Sequence, residues 1–302
     1  MPTPRIWIGP EAPEGLSEAV GGAGADVVGS PAEAEALVWR GPWDGVREAL
    51  HPGVRWVQLG SAGIEDWVEH GLIDRERVWT SAAGAYAVAV AEHVCALVLA
   101  GTRRLPELAR RESWERLEGV RLQGRTIGLV GAGGIGRAVI DRLRPFGVRV
   151  LAQTHSGREV PGADRSFGPD GLPALLEASD VVVLAAPLTP ATRHLLDAAA
   201  LARLRPTALV VNVGRGGLID TDALVEALRA GRLGGACLDV TDPEPLPDGH
   251  PLWSLPTVLI TPHVANTSAM LEEAFREHVV DNVGRFARGE PLRSPIDVDR
   301  GY

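Results

Sequence analysis

The chain has 302 residues, 45% of them hydrophobic and 23% charged, with a formal net charge of −9. This is globular composition at a length that accommodates two domains, and the acidic balance excludes a general nucleic-acid binder, which needs a basic surface. The opening MPTPRIWIGPEAPEG has no secretory pattern, and no uncharged apolar run reaches the roughly 18–20 residues of a membrane span. With Cys95 and Cys237 set in apolar runs, the expectation is a reduced, cytoplasmic protein without membrane contact.

In chain order, RIWIG (5–9), ADVVG (25–29), ALVWRG (36–41), VRWVQL (54–59) and RVWTSA (77–82) are short apolar runs bounded by Gly, Pro or Asp. Lacking clean polar alternation, they read as buried strands of a parallel sheet. Residues 87–117 read as one long helical stretch, interrupted near Gly101 and Pro106. From Arg125 a βαβ rhythm sets in. Its strands are expected at TIGLV (126–130), VRVLAQ (148–153), DVVVLAA (180–186), ALVVNV (208–213), GACLDV (235–240) and TVLIT (257–261). A helix over 222–232 has Asp220 placed to cap its start and Gly231 to close its end. Six β-runs joined by crossovers predict a doubly wound α/β sheet with helices on both faces. Residues 271–292 read as an amphipathic helix followed by a loop.

GLVGAGGIGRAV (128–139) spells G-x-G-x-x-G with Gly131, Gly133 and Gly136. Alone, that is a weak signal. Here a strand precedes it and an amphipathic helix follows. Gly131 then serves the tight turn, Gly133 lets a pyrophosphate approach the backbone, and Gly136 lets the helix pack close to the strand. The helix amino end favours phosphate charge. A dinucleotide-binding turn is therefore expected. About 20 residues on, an NAD site usually carries Asp or Glu for the ribose 2′-OH. This strand ends VLAQTHSGRE, with Thr154 at the expected position, Thr154 and Ser156 offering hydroxyls, and His155 and Arg158 offering nitrogen donors or charge. Arg suits a phosphate because its donor fork matches the oxygens, so NADP(H) is favoured over NAD(H).

Three polar residues fall at the ends of later strands, where such sheets bind ligands: Arg215 after VVNVG, Glu244 in LDVTDPEPLP and His263 in LITPHVA. Singly, each reads equally as a surface charge, a loop acid or a satisfied interior histidine. Together, beside a dinucleotide turn, they suggest a site in which His carries a proton, a carboxylate orients it and Arg holds an anionic oxygen. The remaining histidines are scattered and lack metal-ligand spacing.

GLVGAGGIG, APLTPATRHLLD (186–197), VNVGRGGLIDTDALVEAL (211–228), LDVTDPEPLPDGHPLW (238–253) and TPHVANTS (261–268) occur in that order. With WVQLGSAGIE and AVAEHV in the first half, they resemble the D-isomer-specific 2-hydroxyacid dehydrogenases, the family of glyoxylate/hydroxypyruvate reductases and phosphoglycerate dehydrogenases. The resemblance runs over about residues 54–290. It implies two Rossmann-like domains with the active site in a cleft: a dinucleotide-binding domain over 97–269 and a smaller, flavodoxin-like, discontinuous substrate domain over 1–96 plus 270–302. It also implies catalytic Arg215, Glu244 and His263, with Arg215, His263 and the backbone of Ser61, Ala62 and Gly63 on the substrate. Cofactor contacts extend by resemblance to Gly134, Ile135, Pro187, Thr192, Val213 and Asp239, the last near the nicotinamide amide. The implied chemistry is hydride transfer between a nicotinamide cofactor and a small 2-keto or D-2-hydroxy acid, with His263 as proton donor or base.

Some features depart from the family pattern. Ser81-Ala82-Ala83-Gly84, with Tyr86 beyond, stands where members often have Asn-x-Pro-Gly, which leaves the substrate open. Glu244 argues against the formate dehydrogenase branch, which carries Gln there, and the end at Tyr302 leads us to expect no C-terminal regulatory domain. The 87–117 stretch, with Trp114, is expected to form a homodimer arm, and Trp253 is expected to pack. The alternatives are a nucleotide-sensing, corepressor-like protein of the same fold and a related enzyme using another donor such as phosphite.

Overall fold

The computed structural model describes residues 3–298, so residues 1–2 and 299–302 of the expected substrate region lie outside the described residues. The chain divides into two compact units, Met1–Tyr86 with Thr267–Tyr302, and Ala87–Asn266. The first division falls at Tyr86/Ala87, not at 96/97, because it coincides with the start of an unbroken helix, Ala87–Thr102, that packs on the Gly134–Leu143 helix of the second unit. The second falls at Asn266/Thr267, one residue before the Ser268–Arg288 helix.

In the first unit, β1 (Arg5–Pro10), β2 (Asp26–Val27), β3 (Ala36–Arg40), β4 (Trp56–Leu59) and β5 (Val78–Thr80) form a parallel sheet in the order β2-β1-β3-β4-β5. This is the flavodoxin-like order, with its switch point between β1 and β3. Each strand coincides with a run expected from the sequence, β1 extending one residue past its run to Pro10. The inner strands β3 and β4 show no polar alternation because both faces are buried, and Gln58 is the one buried polar residue among them. β2 shrinks to two exposed residues because it is an edge with little to cover. The other edge is closed by the C-terminal segment: Ser81 N–H donates to Ser294, and Ile296 N–H donates to Trp79. That leaves fewer unpaired groups to recruit another chain.

A polar chain ties the Ser268–Arg288 helix to this sheet. Trp56 Nε1 donates to Thr80 Oγ1 at 2.8 Å, Thr80 Oγ1 donates to Gln58 Oε1 at 2.8 Å, and Asn282 Nδ2 donates to the same Gln58 oxygen at 2.9 Å. Asn282 Oδ1 accepts from Arg293 N–H at 2.7 Å, and Gln58, Thr80 and Asn282 are each 0% exposed. Buried polar groups are stable only when satisfied, so removing one member strands its partners. Asn282→Ala is therefore expected to lower stability by about 2–3 kcal/mol in urea denaturation; a loss under about 0.5 kcal/mol, the range of an ordinary surface change, would contradict this role.

The second unit holds β6 (Thr126–Val130), β7 (Arg149–Gln153), β8 (Arg165–Phe167), β9 (Val181–Leu184), β10 (Leu209–Asn212), β11 (Gly235–Leu238) and β12 (Val258–Ile260). The order β12-β11-β10-β9-β6-β7-β8, all parallel, winds outward both ways from β6, as the doubly wound expectation requires. β8 carries no apolar run, since Phe167 alone of its residues is buried, and it was not among the expected strands. Asp220 caps the Thr221–Arg229 helix through Ala223 N–H, and Gly231 follows it in the left-handed region at φ 64°. Residues 110–117 depart from the expectation of a long helix. Helix ends at Thr102, resumes over Leu105–Ala109 and then stops. Beyond it RESWERL has no apolar face to bury, and Trp114 is 98% exposed. Among the described residues no helix is long and apolar enough to cross a membrane.

Candidate active site

In a parallel sheet all carboxyl ends lie at one edge, so the loops after β6, β7, β9, β10, β11 and β12 share one rim of the second unit. The loop after β6 is the glycine turn. Gly131 has φ 93°, and a Cβ there would lie 2.6 Å from the Ala186 nitrogen after β9. Gly136, in the first turn of the Gly134–Leu143 helix, could carry no Cβ either, since it would sit 2.3 Å from the Gly131 oxygen. At Gly133 the added carbon would meet nothing within 4 Å. Two glycines are thus needed for internal packing. The third leaves open space before a helix amino end whose Gly134 and Ile135 N–H groups lack intrahelical acceptors, a cradle that suits a pyrophosphate.

After β7, Thr154 N–H donates to Phe167 O, Gly157 turns at φ 64°, and His155, Ser156 and Arg158 are exposed. Neither Gln153 nor Thr154 brings a carboxylate to this strand end. The loop after β9 carries exposed Pro187 and is tied back by Thr192, whose Oγ1 accepts from Thr189 N–H and donates to Pro187 O, both at 2.8 Å.

Arg215 follows β10 and buried Val213 in a turn held by Asn212, which is 0% exposed. Asn212 Nδ2 donates to Arg215 O at 2.9 Å, and its Oδ1 accepts from Gly214 N–H at 3.1 Å. Gly216 lets the loop after β11 come near, because a Cβ there would stand 1.8 Å from the Thr241 oxygen. On that loop Glu244 accepts from His263 Nδ1 at 2.7 Å and from Thr241 N–H at 3.3 Å. The carboxylate has no proton to give, so Nδ1–H is the donor. Nε2 is thereby left as the nitrogen that can hand a proton outward.

His263 lies in the left-handed region at φ 52°, a cost of about 1–2 kcal/mol for a residue with a Cβ. What offsets it is Asp239, 2% exposed at the end of β11. Its backbone oxygen accepts from His263 N–H at 2.8 Å. Its carboxylate accepts from Val264 N–H and Ala265 N–H, each at 3.0 Å, and from Thr261 Oγ1 at 2.6 Å, with His93 Nε2 at 3.3 Å. Charge-assisted bonds contribute about 1.5–3 kcal/mol each, so the set outweighs the strain. Burial by itself would raise the Asp239 carboxyl. The hydrogen bonds from His93, Thr261 and the two N–H groups overcome that and hold it at about 2.

In the first unit Ser61, Ala62 and Gly63 follow β4. Ser61 Oγ donates to Gly63 O, and Ser61 O accepts from Ala82 N–H, but their own N–H groups make no backbone hydrogen bond among the described residues. Tyr86 donates to Gly60 O at 2.9 Å. Burial pushes its phenol up to about 12 against the opposing pull of Arg40, so it is a neutral donor. The sequence reading missed Asn212, Thr261 and His93 as site-building residues. Each acts through a neighbour that it also quoted, and AEHV and TPHVA contain two of them.

The depressed Asp239 carboxyl has a consequence for acid stability. A carboxylate held below its ordinary value near 4 stabilises the fold at higher pH, and that contribution is lost as pH falls toward 2. Asp239→Asn is expected to lose about 2 kcal/mol near neutral pH. It should also flatten the fall of the urea midpoint between about pH 4 and pH 2. A variant with the wild-type midpoint and slope would contradict the role given to this carboxylate.

The model of the D-isomer specific 2-hydroxyacid dehydrogenase NAD binding domain matches residues 95–265. A glyoxylate reductase of Thermofilum pendens is 38% identical over 70% of this chain, a stretch that covers 65% of that protein. Glyoxylate/hydroxypyruvate reductase A of Yersinia enterocolitica is 31% identical over 88% of this chain and 87% of its own length. Among solved structures, a D-isomer specific 2-hydroxyacid dehydrogenase from Xanthobacter autotrophicus Py2, in complex with NADPH and MES, superposes with a TM-score of 0.87 at 29% identity, covering 99% of this chain and 100% of that one. With the glycine cradle and two parallel sheets already in place, these matches establish that the chain belongs to the D-isomer specific 2-hydroxyacid dehydrogenases, oxidoreductases dependent on NAD(P).

Proposed function

We propose that this protein reduces a small 2-keto acid of the glyoxylate or hydroxypyruvate class to the D-2-hydroxy acid, with NADP(H) favoured over NAD(H). The observation that carries the reading is the pair His263–Glu244, joined at 2.7 Å on the rim that also presents Arg215 and the glycine cradle. The cradle, Gly131 to Gly136, would hold the cofactor pyrophosphate, with Thr154, His155, Ser156 and Arg158 toward the 2′ position and Pro187, Thr192, Val213 and Asp239 along the rest. When bound, the reduced nicotinamide supplies the hydride. Arg215 binds the substrate carboxylate and stabilises charge developing on its carbonyl oxygen. The N–H groups of Ser61, Ala62 and Gly63 also suit a carboxylate. His263, oriented through Nδ1 by Glu244, delivers a proton from Nε2 to that oxygen, and the reverse reaction uses the same nitrogen as base.

The missing carboxylate at the end of β7 and the exposed Arg158 support a 2′-phosphate. The Xanthobacter relative was solved with NADPH, and the Yersinia relative is named for glyoxylate and hydroxypyruvate. The two unpaired cysteines support a cytoplasmic setting. Exposed Trp114, with Leu105 and Val120 at 50% and 43% exposure on the same segment, supports a homodimer built through this arm.

Initial rates with a panel of 2-keto acids check the reading. One acid should turn over with NADPH, and Arg215→Ala and His263→Ala should each lower kcat/KM at least about 100-fold. Arg158→Ala should raise KM for NADPH about tenfold and leave that for NADH unchanged. A wild-type preference for NADH would overturn the cofactor reading. Tight cofactor binding without turnover of any acid would favour the sensing protein instead. Trp114→Glu should shift the sedimentation coefficient from dimer to monomer, and a wild-type monomer would remove the dimer reading.

A further inference from the structure

The chemistry proposed above gives no role to His93, although its ring reaches the Asp239 carboxylate. His93 lies on the Ala87–Thr102 helix, whose neighbouring residues Val90, Ala91, Val94 and Leu97 are buried apolar packing. Its side chain is 21% exposed. Its Nε2 stands 3.0 Å from Thr261 Oγ1 and 3.3 Å from Asp239 Oδ1. A leucine would fill such a helix position as well, so the polar ring needs an explanation.

Counting protons gives the direction of each bond. A hydroxyl has one hydrogen. Thr261 Oγ1 lies 2.6 Å from a carboxylate that has none to give, so its hydrogen is committed to Asp239. Thr261 therefore accepts from His93, and the imidazole carries its hydrogen on Nε2. That single N–H points at both the threonine oxygen and the carboxylate. The same carboxylate accepts from Val264 N–H and Ala265 N–H, the two residues after His263, and the Asp239 backbone oxygen accepts from His263 N–H. The turn that carries His263 is thus closed around one anion, and His93 is the donor that reaches it from a separate helix.

We propose that His93 is a positioning residue for the proton donor. Its Nε2–H, shared by Thr261 Oγ1 and Asp239 Oδ1, fixes the Thr261–Ala265 turn and so the direction in which His263 presents Nε2. Its catalytic meaning rests on the reading of His263 given under Proposed function. Without the His93 donor, Asp239 keeps its charge but loses the contact that joins it to the helix. The left-handed residue at 263 is then less over-determined, and the turn opens more often. Second-layer contacts of this kind set how accurately a reacting group is held.

The test uses the full-length protein and two readouts. His93→Leu keeps the bulk and removes the donor, whereas His93→Gln keeps an N–H donor. Amide hydrogen exchange at Val264 and Ala265 should be at least tenfold faster in His93→Leu and within threefold of wild type in His93→Gln, with Ile140 and Leu143 unchanged in both. In keto-acid reduction His93→Leu should lower kcat about tenfold with KM for the acid within twofold, and His93→Gln should recover most of kcat. Thr261→Val removes the shared oxygen. Adding His93→Leu to it should speed exchange no further, as expected for groups acting through one network.

Unchanged exchange at Val264 and Ala265 in His93→Leu would overturn the proposal, as would strictly additive effects in the double variant. Should His93→Leu fail to fold, Thr261→Val carries the test alone, and wild-type exchange at Val264 in that variant overturns it. If the exchange pattern holds while the wild-type protein reduces no keto acid, the keto-acid reading falls and the positioning of the turn by His93 stands.

Discussion

A single buried carboxylate, that of Asp239, organises the chemical end of the second unit. Four donors converge on it, from Thr261, Val264, Ala265 and His93, while its own backbone oxygen receives the His263 N–H. An anion in that position costs desolvation, and only a full set of donors makes it stable. The set that satisfies it is also the set that bends the chain at His263 into the left-handed region. Stability and the placement of the His263 ring therefore have one cause.

The surrounding loops are placed by close backbone approach. Gly136 brings the helix onto the glycine turn, Gly131 brings that turn against the loop after β9, and Gly216 brings the Arg215 turn against the loop after β11. At each of these positions a methyl group would collide with backbone atoms, which move only with the strands that carry them. Gly133 differs, since its missing side chain opens space outward. The contrast separates the glycines that serve internal packing from the one that faces open space.

Much of this was legible in the sequence, for physical reasons. Strands buried on both faces read as largely apolar runs without polar alternation, so β3, β4, β9, β10 and β11 were evident. Polar residues that follow such runs must lie at the sheet rim, and for that reason Arg215, Glu244 and His263, each ambiguous singly, could be picked out together beside the glycine turn. β8 was hidden because an edge strand of three residues needs no apolar run. Residues 110–117 read as helix from local composition, but no face of that segment finds cover. His93 was hidden by distance, standing 168 residues from Thr261, and no local pattern announces such a pairing.

The proposed reduction depends most directly on His263 acting as the proton donor. Chemical rescue isolates that role: His263→Ala would be assayed for keto-acid reduction with increasing free imidazole, beside Arg215→Ala. We predict that imidazole restores turnover in His263→Ala in a saturable manner and does nothing for Arg215→Ala, whose lost guanidinium is a binding group for anionic oxygen. Turnover by His263→Ala at the wild-type rate without imidazole would contradict the assignment.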